Sequence, residues 1–195
     1  MNCEIEQVKR LAGEIDGWLS DAEGELLYKL AKNVPKGQAI VEIGSWQGKS
    51  TVWLAKGTEA GQKNKVYAID PHRGSGAHVS EGEEDTYPTF LVNLSKAGVI
   101  NRVVPLVMTS SEAAQYWQGS VGLLWIDGSH EYEHVKRDFL LWKQYLLPGS
   151  MVALHDCDKE EYPGPARVAE EYLVNSDEFV ITHHVDTILT ATKRR

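Results

Sequence analysis

The chain has 195 residues, 42% hydrophobic and 25% charged, with a formal net charge of −8. That length supports one domain with a proper core, and the acidic balance argues against nucleic acid as a partner, because phosphate neutralisation needs basic patches. No apolar run approaches the roughly 18 residues of a membrane span, the first residues lack the basic and apolar regions of a signal peptide, and two cysteines, Cys3 and Cys157, make no disulfide framework. A cytoplasmic protein without membrane partners is expected.

Ile5, Val8, Leu11, Ala12 and Ile15 recur at helical spacing until Asp16-Gly17. Ser20 then caps a second helix, with Glu23 three residues on completing a capping box; it runs through Leu26, Leu27, Leu30 and Ala31 to Pro35-Lys36-Gly37. Beyond it, strands are predicted at 38–43, 65–70, 102–107, 121–127, 149–154, 178–184 and 186–192. Helices are predicted at about 49–60, 86–97, 110–117, 131–146 and 163–175. Runs such as Val121-Gly-Leu-Leu-Trp-Ile126 suit strands covered on both faces. The alternation predicts an α/β fold with a mostly parallel sheet, and the last two strands flank His183-His184-Val185 closely enough for an antiparallel hairpin. No linker divides residues 1–195: a helical extension over 1–35 precedes a core over 36–192.

The first predicted strand leads into Val41-Glu42-Ile43-Gly44-Ser45-Trp46-Gln47-Gly48-Lys49-Ser50-Thr51, a strand, a glycine turn and a helix N-terminus. Backbone amides and the helix dipole can approach a polar ligand there. A phosphate loop ending in Gly48-Lys49-Ser50 would need glycine where Ile43 stands, and a dinucleotide G-x-G-x-x-G would need it where Trp46 stands. What remains is E-x-G-x-x-x-G. The Glu42 carboxylate would repel a pyrophosphate and suits a ligand carrying an amino group and a sulfonium. The next strand ends in Asp70, placed to accept hydrogen bonds from ribose hydroxyls.

Residues 71–85 form a long polar loop, expected as a lid over cofactor and substrate. The strand ending at Ile126 leads to Asp127-Gly128-Ser129-His130, and the strand ending at Leu154 leads to His155-Asp156. Asp127, His130, His155 and Asp156 should therefore converge at the carboxyl edge of the sheet, where open α/β sheets bind ligands. Such a group can hold a divalent ion or deprotonate a hydroxyl. His130-Glu131-Tyr132-Glu133-His134 also matches the zinc-hydrolase pattern H-E-x-x-H. Here, however, His130 falls at a helix start, no third ligand follows at helical spacing, and Ser129 is expected as the cap.

Ile-Asp-Gly-Ser-His-x-Tyr-Glu, a helix, Leu-Leu-Pro-Gly-Ser and then Leu-His-Asp closely resemble a small family of class I S-adenosylmethionine-dependent methyltransferases. It is the group similar to macrocin O-methyltransferase (methyltransferase family 24 type). Glu42-x-Gly44 resembles its first motif and Ala68-Ile69-Asp70-Pro71-His72 its second, over roughly residues 36–192. The resemblance implies a Rossmann-like seven-stranded fold with helices on both faces. It implies that Glu42, Gly44, Ser45, Gly48, Asp70, His72 and Asp127 hold S-adenosyl-L-methionine, with Ser110 and Ser111 at the adenine. It further implies His130 as catalytic base beside Asp127, and Asp127, Asp156 and His155 as the place of a metal such as Mg2+. His155 stands where metal-dependent relatives often carry an acid.

The expected reaction is methyl transfer to a small-molecule acceptor, through a hydroxyl oxygen, with divalent-metal assistance as an added device. The N-terminal helices would supply contacts for a homo-oligomer. Two other readings remain at this stage, a NAD-dependent oxidoreductase and a non-catalytic adenosine-ligand-binding protein, which would not need Asp127 and His130.

Overall fold

The computed structural model describes residues 2–73, 85–158, 160–161 and 163–195. Helices α1 (Asn2–Gly13) and α2 (Asp21–Asn33) open the chain. The capping box at Ser20 forms: its hydroxyl accepts from Glu23 N at 3.2 Å, and the Glu23 carboxylate accepts from Ser20 N at 2.9 Å. Strands β1 (Ala39–Ile43), β2 (Val66–Ile69), β3 (Val103–Leu106), β4 (Val121–Ile126) and β5 (Leu146–Leu154) then alternate with helices α3 (Lys49–Glu59), α4 (Tyr87–Lys96), α5 (Ser110–Tyr116) and α6 (Tyr132–Lys143). Helix α7 (Pro163–Ala169), β6 (Phe179–Val185) and β7 (Ile188–Lys193) complete the chain.

The seven strands lie in the order β3-β2-β1-β4-β5-β7-β6. The first five pair in parallel, and β7 is antiparallel to both β5 and β6, the expected hairpin. The order reverses between β1 and β4, the kind of switch point at whose carboxyl edge open α/β sheets bind ligands in a crevice. Side chains alternate between two core layers. Ile40, Leu123 and Trp125 pack with Leu27 of α2, Trp53 of α3 and Phe90 of α4. Val41, Leu124 and Ile126 pack with Val135, Phe139 and Trp142 of α6 and Val168 of α7. Burial on both faces is why these strands read as continuous apolar runs.

The element boundaries differ most from the sequence expectation around β5 and α7. Helix α6 ends at Lys143, and β5 begins at Leu146 rather than 149, because Val121 pairs with Leu146 and Leu123 with Met151 across an irregularity. Within it the Ser150 hydroxyl accepts from Leu147 N and donates to Val121 O at 2.7 Å. The helix expected over 163–175 divides into α7 and a π-helical turn at Glu170–Val174. Most of the expected lid, 74–84, lies outside the described residues. Its base is described: Thr86 N donates to His72 O at 3.2 Å, and the Thr86 hydroxyl pairs with His72 Nδ1 at 2.9 Å. Among the described residues no helix is long and apolar enough to cross a membrane.

Candidate active site

The glycine turn is built from both neighbouring strands. Gly44 N donates to Ile69 O, and Asp127 N donates to Ile43 O, each at 2.9 Å. Gly44 has φ +88°, and a Cβ there would lie 2.3 Å from Asp127 O. The turn after β1 thus touches the turn after β4, bringing the two motifs to one crevice. Gly48, in the left-handed region, is the N-cap of α3. Ser45 is 2% exposed, and its hydroxyl has no hydrogen-bond partner among the described residues. A buried hydroxyl of this kind calls for a missing partner.

Glu42 is fully buried and accepts from the hydroxyls of Ser50 at 2.5 Å and Thr51 at 2.6 Å. Burial pushes its carboxyl up to about 8; the two hydroxyls offset part of that, and repulsion from Asp127 and Asp70 adds to it. It therefore ties β1 to the first turn of α3 while adding a negative charge beneath the turn when ionised. Asp70 accepts from Trp46 N at 2.8 Å and from His72 N at 2.7 Å. Each oxygen keeps accepting capacity for a further donor.

The side chains of His72 and Ser110, two of the expected cofactor residues, are engaged inside the protein. The His72 ring, 2% exposed, packs against Tyr87 and Phe90 and bonds the Thr86 hydroxyl, and burial lowers its pKa. Its link to Asp70 runs through its backbone N–H. The Ser110 hydroxyl accepts from the Trp142 indole at 2.9 Å, inside the core. Ser111 beside it, in the first turn of α5, is half-buried.

Asp127, His130, His155 and Asp156 converge as expected. His130 Nε2 stands 2.7 Å from Asp156 Oδ2; the imidazole is 37% exposed and the carboxylate 4%. His155 Nδ1 lies 2.9 Å from Asp127 Oδ1 and 3.4 Å from Asp156 Oδ1. Asp156 has φ +56°, a conformation uncommon for a side-chain-bearing residue. Burial lowers the pKa of His155, but Asp127, Asp156 and Glu23 outweigh it and raise it to about 12. Three carboxylates thus surround the ring.

Glu23 is the residue that sequence reading missed here. Desolvation opposes its ionisation, yet His155, Ser20 and Thr187 together draw its carboxyl down to about 2. Its Oε1 accepts from Thr187 N and Oγ1 and lies 3.5 Å from His155 Nε2. The capping box was legible; its second use, joining α2 to β5 and the β6–β7 turn, was not. Gly164 was also missed. A Cβ on it would lie 2.1 Å from His130 O, so the start of α7 rests directly on the His130 backbone.

Asp127, His155 and Asp156 present ligand atoms within 4.8 Å of one another, the span of a metal site. The donor chemistry does not fit Mg2+, which takes near-octahedral oxygen ligands. An ionised Asp127 can only accept, so His155 Nδ1 must carry a hydrogen along the direction a metal would need. The zinc-hydrolase pattern falls apart too: α6 has Glu131 as N-cap, not Ser129, His130 precedes the helix, and His134 Nδ1 pairs with the Ser129 hydroxyl at 3.1 Å.

Residues 41–157 match methyltransferase family 24, described as a methyltransferase domain. The uncharacterised protein y4gI of Sinorhizobium fredii (strain NBRC 101917 / NGR234) is 29% identical over 124 residues, 63% of this chain. The chain spans only 13% of the length of that relative. The O-methyltransferase TomG from Streptomyces achromogenes, solved with S-adenosylmethionine, superposes with a TM-score of 0.70 at 18% identity, covering 98% of this chain and 90% of TomG. An O-methyltransferase from Bacillus cereus, solved with S-adenosylhomocysteine, gives 0.69 at 17%, covering 99% and 92%. These likenesses agree in fold, and the family match covers both the glycine turn and the His155-Asp156 pair: the chain belongs to methyltransferase family 24 and has the class I methyltransferase fold.

Proposed function

We propose that the chain transfers the methyl group of S-adenosyl-L-methionine to a hydroxyl oxygen of a small-molecule acceptor, with His130 taking the proton. The observation that carries this reading is the His130–Asp156 pair, 2.7 Å apart and set at the same carboxyl edge of the sheet as the glycine turn. The cofactor supplies an electrophilic methyl on a sulfonium. The unpartnered Ser45 hydroxyl and the close approach at Gly44 fit a ligand lying against the turn; Asp70 would accept from the ribose, and Gly48 and Ser111 would present backbone. Glu42 acts from below, through charge and by holding the turn.

As the acceptor oxygen forms its bond to the methyl carbon and the carbon–sulfur bond breaks, the hydroxyl proton passes to the His130 imidazole. Asp156 orients that ring and stabilises the imidazolium. Asp127 borders the same crevice and keeps the base turn in place. Two O-methyltransferases among the similar structures support oxygen as the acceptor atom. The same reading treats 1–195 as one domain, supported by the packing of α1 and α2 against α3, and the net charge of −8 supports a small molecule over nucleic acid.

Calorimetric titration with S-adenosyl-L-methionine, with NAD as control, tests the cofactor. Binding of the first alone is expected; no binding, or preference for NAD, overturns the reading.

A further inference from the structure

His155 has carboxylates at both ends of its ring. Asp127 Oδ1 lies 2.9 Å from Nδ1 with Asp156 Oδ1 at 3.4 Å, and Glu23 Oε1 lies 3.5 Å from Nε2. The ring is 4% exposed and meets the edge of Trp125 at 5.5 Å, which fixes its plane. Glu23 is as rigid as its setting. It is 2% exposed, with Oε2 held by Ser20 N at 2.9 Å and Oε1 by Thr187 N at 3.0 Å and Thr187 Oγ1 at 2.7 Å.

A divalent ion chelated by Asp127, His155 and Asp156 would need a lone pair on Nδ1, but the direction of that lone pair is already taken by Asp127 Oδ1. The second oxygen of Asp156 is committed to His130 at 2.7 Å. Ligation would require Asp127 to swing away and the His155 hydrogen to leave.

We propose that this site works without a metal: His155, backed by Glu23 at 3.5 Å from Nε2, joins Asp127 and Asp156 through its Nδ1–H and occupies the place a divalent cation would take. Glu23 and His155 are positioning residues. They hold the Asp127 and Asp156 carboxylates together, and through Asp156 they hold His130. Helix α2 thereby forms part of the floor of the active site. The functional meaning of this arrangement rests on the methyl-transfer reading; the metal claim itself does not.

The test is a titration of the intact protein with Mn2+, followed by the loss of the free-ion electron paramagnetic resonance signal, beside a calorimetric titration with S-adenosyl-L-methionine. The wild-type chain is expected to leave the Mn2+ signal unchanged at millimolar metal. His155→Asp restores an oxygen donor and is expected to gain one bound Mn2+ per chain. Because it also crowds a fourth acid into the site, the double variant His155→Asp with Glu23→Gln is measured in parallel, with the same gain expected. Stoichiometric Mn2+ binding by the wild type, lost in Asp127→Asn, overturns the proposal. So does the absence of any gain in a folded double variant. If the wild type ignores both Mn2+ and the cofactor, the methyl-transfer reading falls and the metal-free site stands.

Discussion

The backbone N–H of Trp46 points at Asp70 Oδ2, 2.8 Å away, so the residue expected to hold a ribose also shapes the glycine turn. Trp46 has φ +40°, an unfavourable setting for an indole-bearing residue, and the carboxylate helps keep it there. Trp18, from the loop between α1 and α2, stacks on Trp46 at 4.9 Å and braces the turn from the other side.

Asp70→Ala should therefore harm binding twice, by removing the ribose acceptor and by freeing the Trp46 and His72 amides. Loss of charge-assisted hydrogen bonds is worth about 1.5–3 kcal/mol, roughly 10- to 100-fold in cofactor affinity. Calorimetry on the folded variant measures it. Unaltered affinity would remove Asp70 from the cofactor site.

His130→Ala is expected to lower turnover by about 10²- to 10⁴-fold, the usual contribution of a positioned proton acceptor. Cofactor affinity should stay within the wild-type range. Asp156→Asn should reproduce most of the loss, and the double variant should be little worse than either single one, because the pair acts as a unit. Additive losses would show that the two residues work independently.

The Glu42 carboxyl gives a pH prediction. Its folded value, about 8, stands above the ordinary 4.5. Between those values the folded chain holds a proton that the unfolded chain has lost. The stabilising contribution is complete below 4.5 and is lost as pH rises through 8. The Tm of the cofactor-free protein should accordingly fall over that interval, and Glu42→Gln should flatten the fall. A positively charged sulfonium nearby favours the ionised carboxylate, so S-adenosyl-L-methionine binding near neutral pH should release a proton. Calorimetry in buffers of different ionisation enthalpy detects the release; S-adenosylhomocysteine, lacking the sulfonium charge, should release less.

What the sequence disclosed was whatever local pattern encodes. Strands buried on both faces read as apolar runs, the Gly44–Gly48 turn has its own spacing, and a carboxylate at the end of a strand, such as Asp70 or Asp127, announces itself by position. That His130 and Asp156 would share one edge of the sheet followed from each standing just after a buried strand; that they pair did not. Contacts between distant segments left no such trace. Glu23 satisfied its local role as a capping residue, and nothing nearby signalled that its other oxygen meets Thr187 and His155. The directions of the Ser110 hydroxyl and the His72 ring were hidden for a related reason. A motif places the Cα at the sheet edge, but the side-chain direction depends on Trp142 in one case and Thr86 in the other.

Gly164 gives the last prediction. It sits between Pro163 and Pro165 at the start of α7, and a Cβ there would lie 2.1 Å from His130 O and 2.6 Å from Tyr132 N. Both are backbone atoms, so no side chain can swing aside; either α7 or the 130–132 segment must move. Overpacking of this kind costs about 1–3 kcal/mol of stability, which a domain of this size survives. The displacement acts on His130, whereas the glycine turn and Asp70 stand on β1 and β2, away from α7. Gly164→Ala should thus lower turnover by about 10²-fold, the usual cost of moving a catalytic group by about 1 Å, with cofactor affinity unchanged. If turnover stays at the wild-type level while Tm falls, α7 has absorbed the strain and the His130 backbone is not set by Gly164.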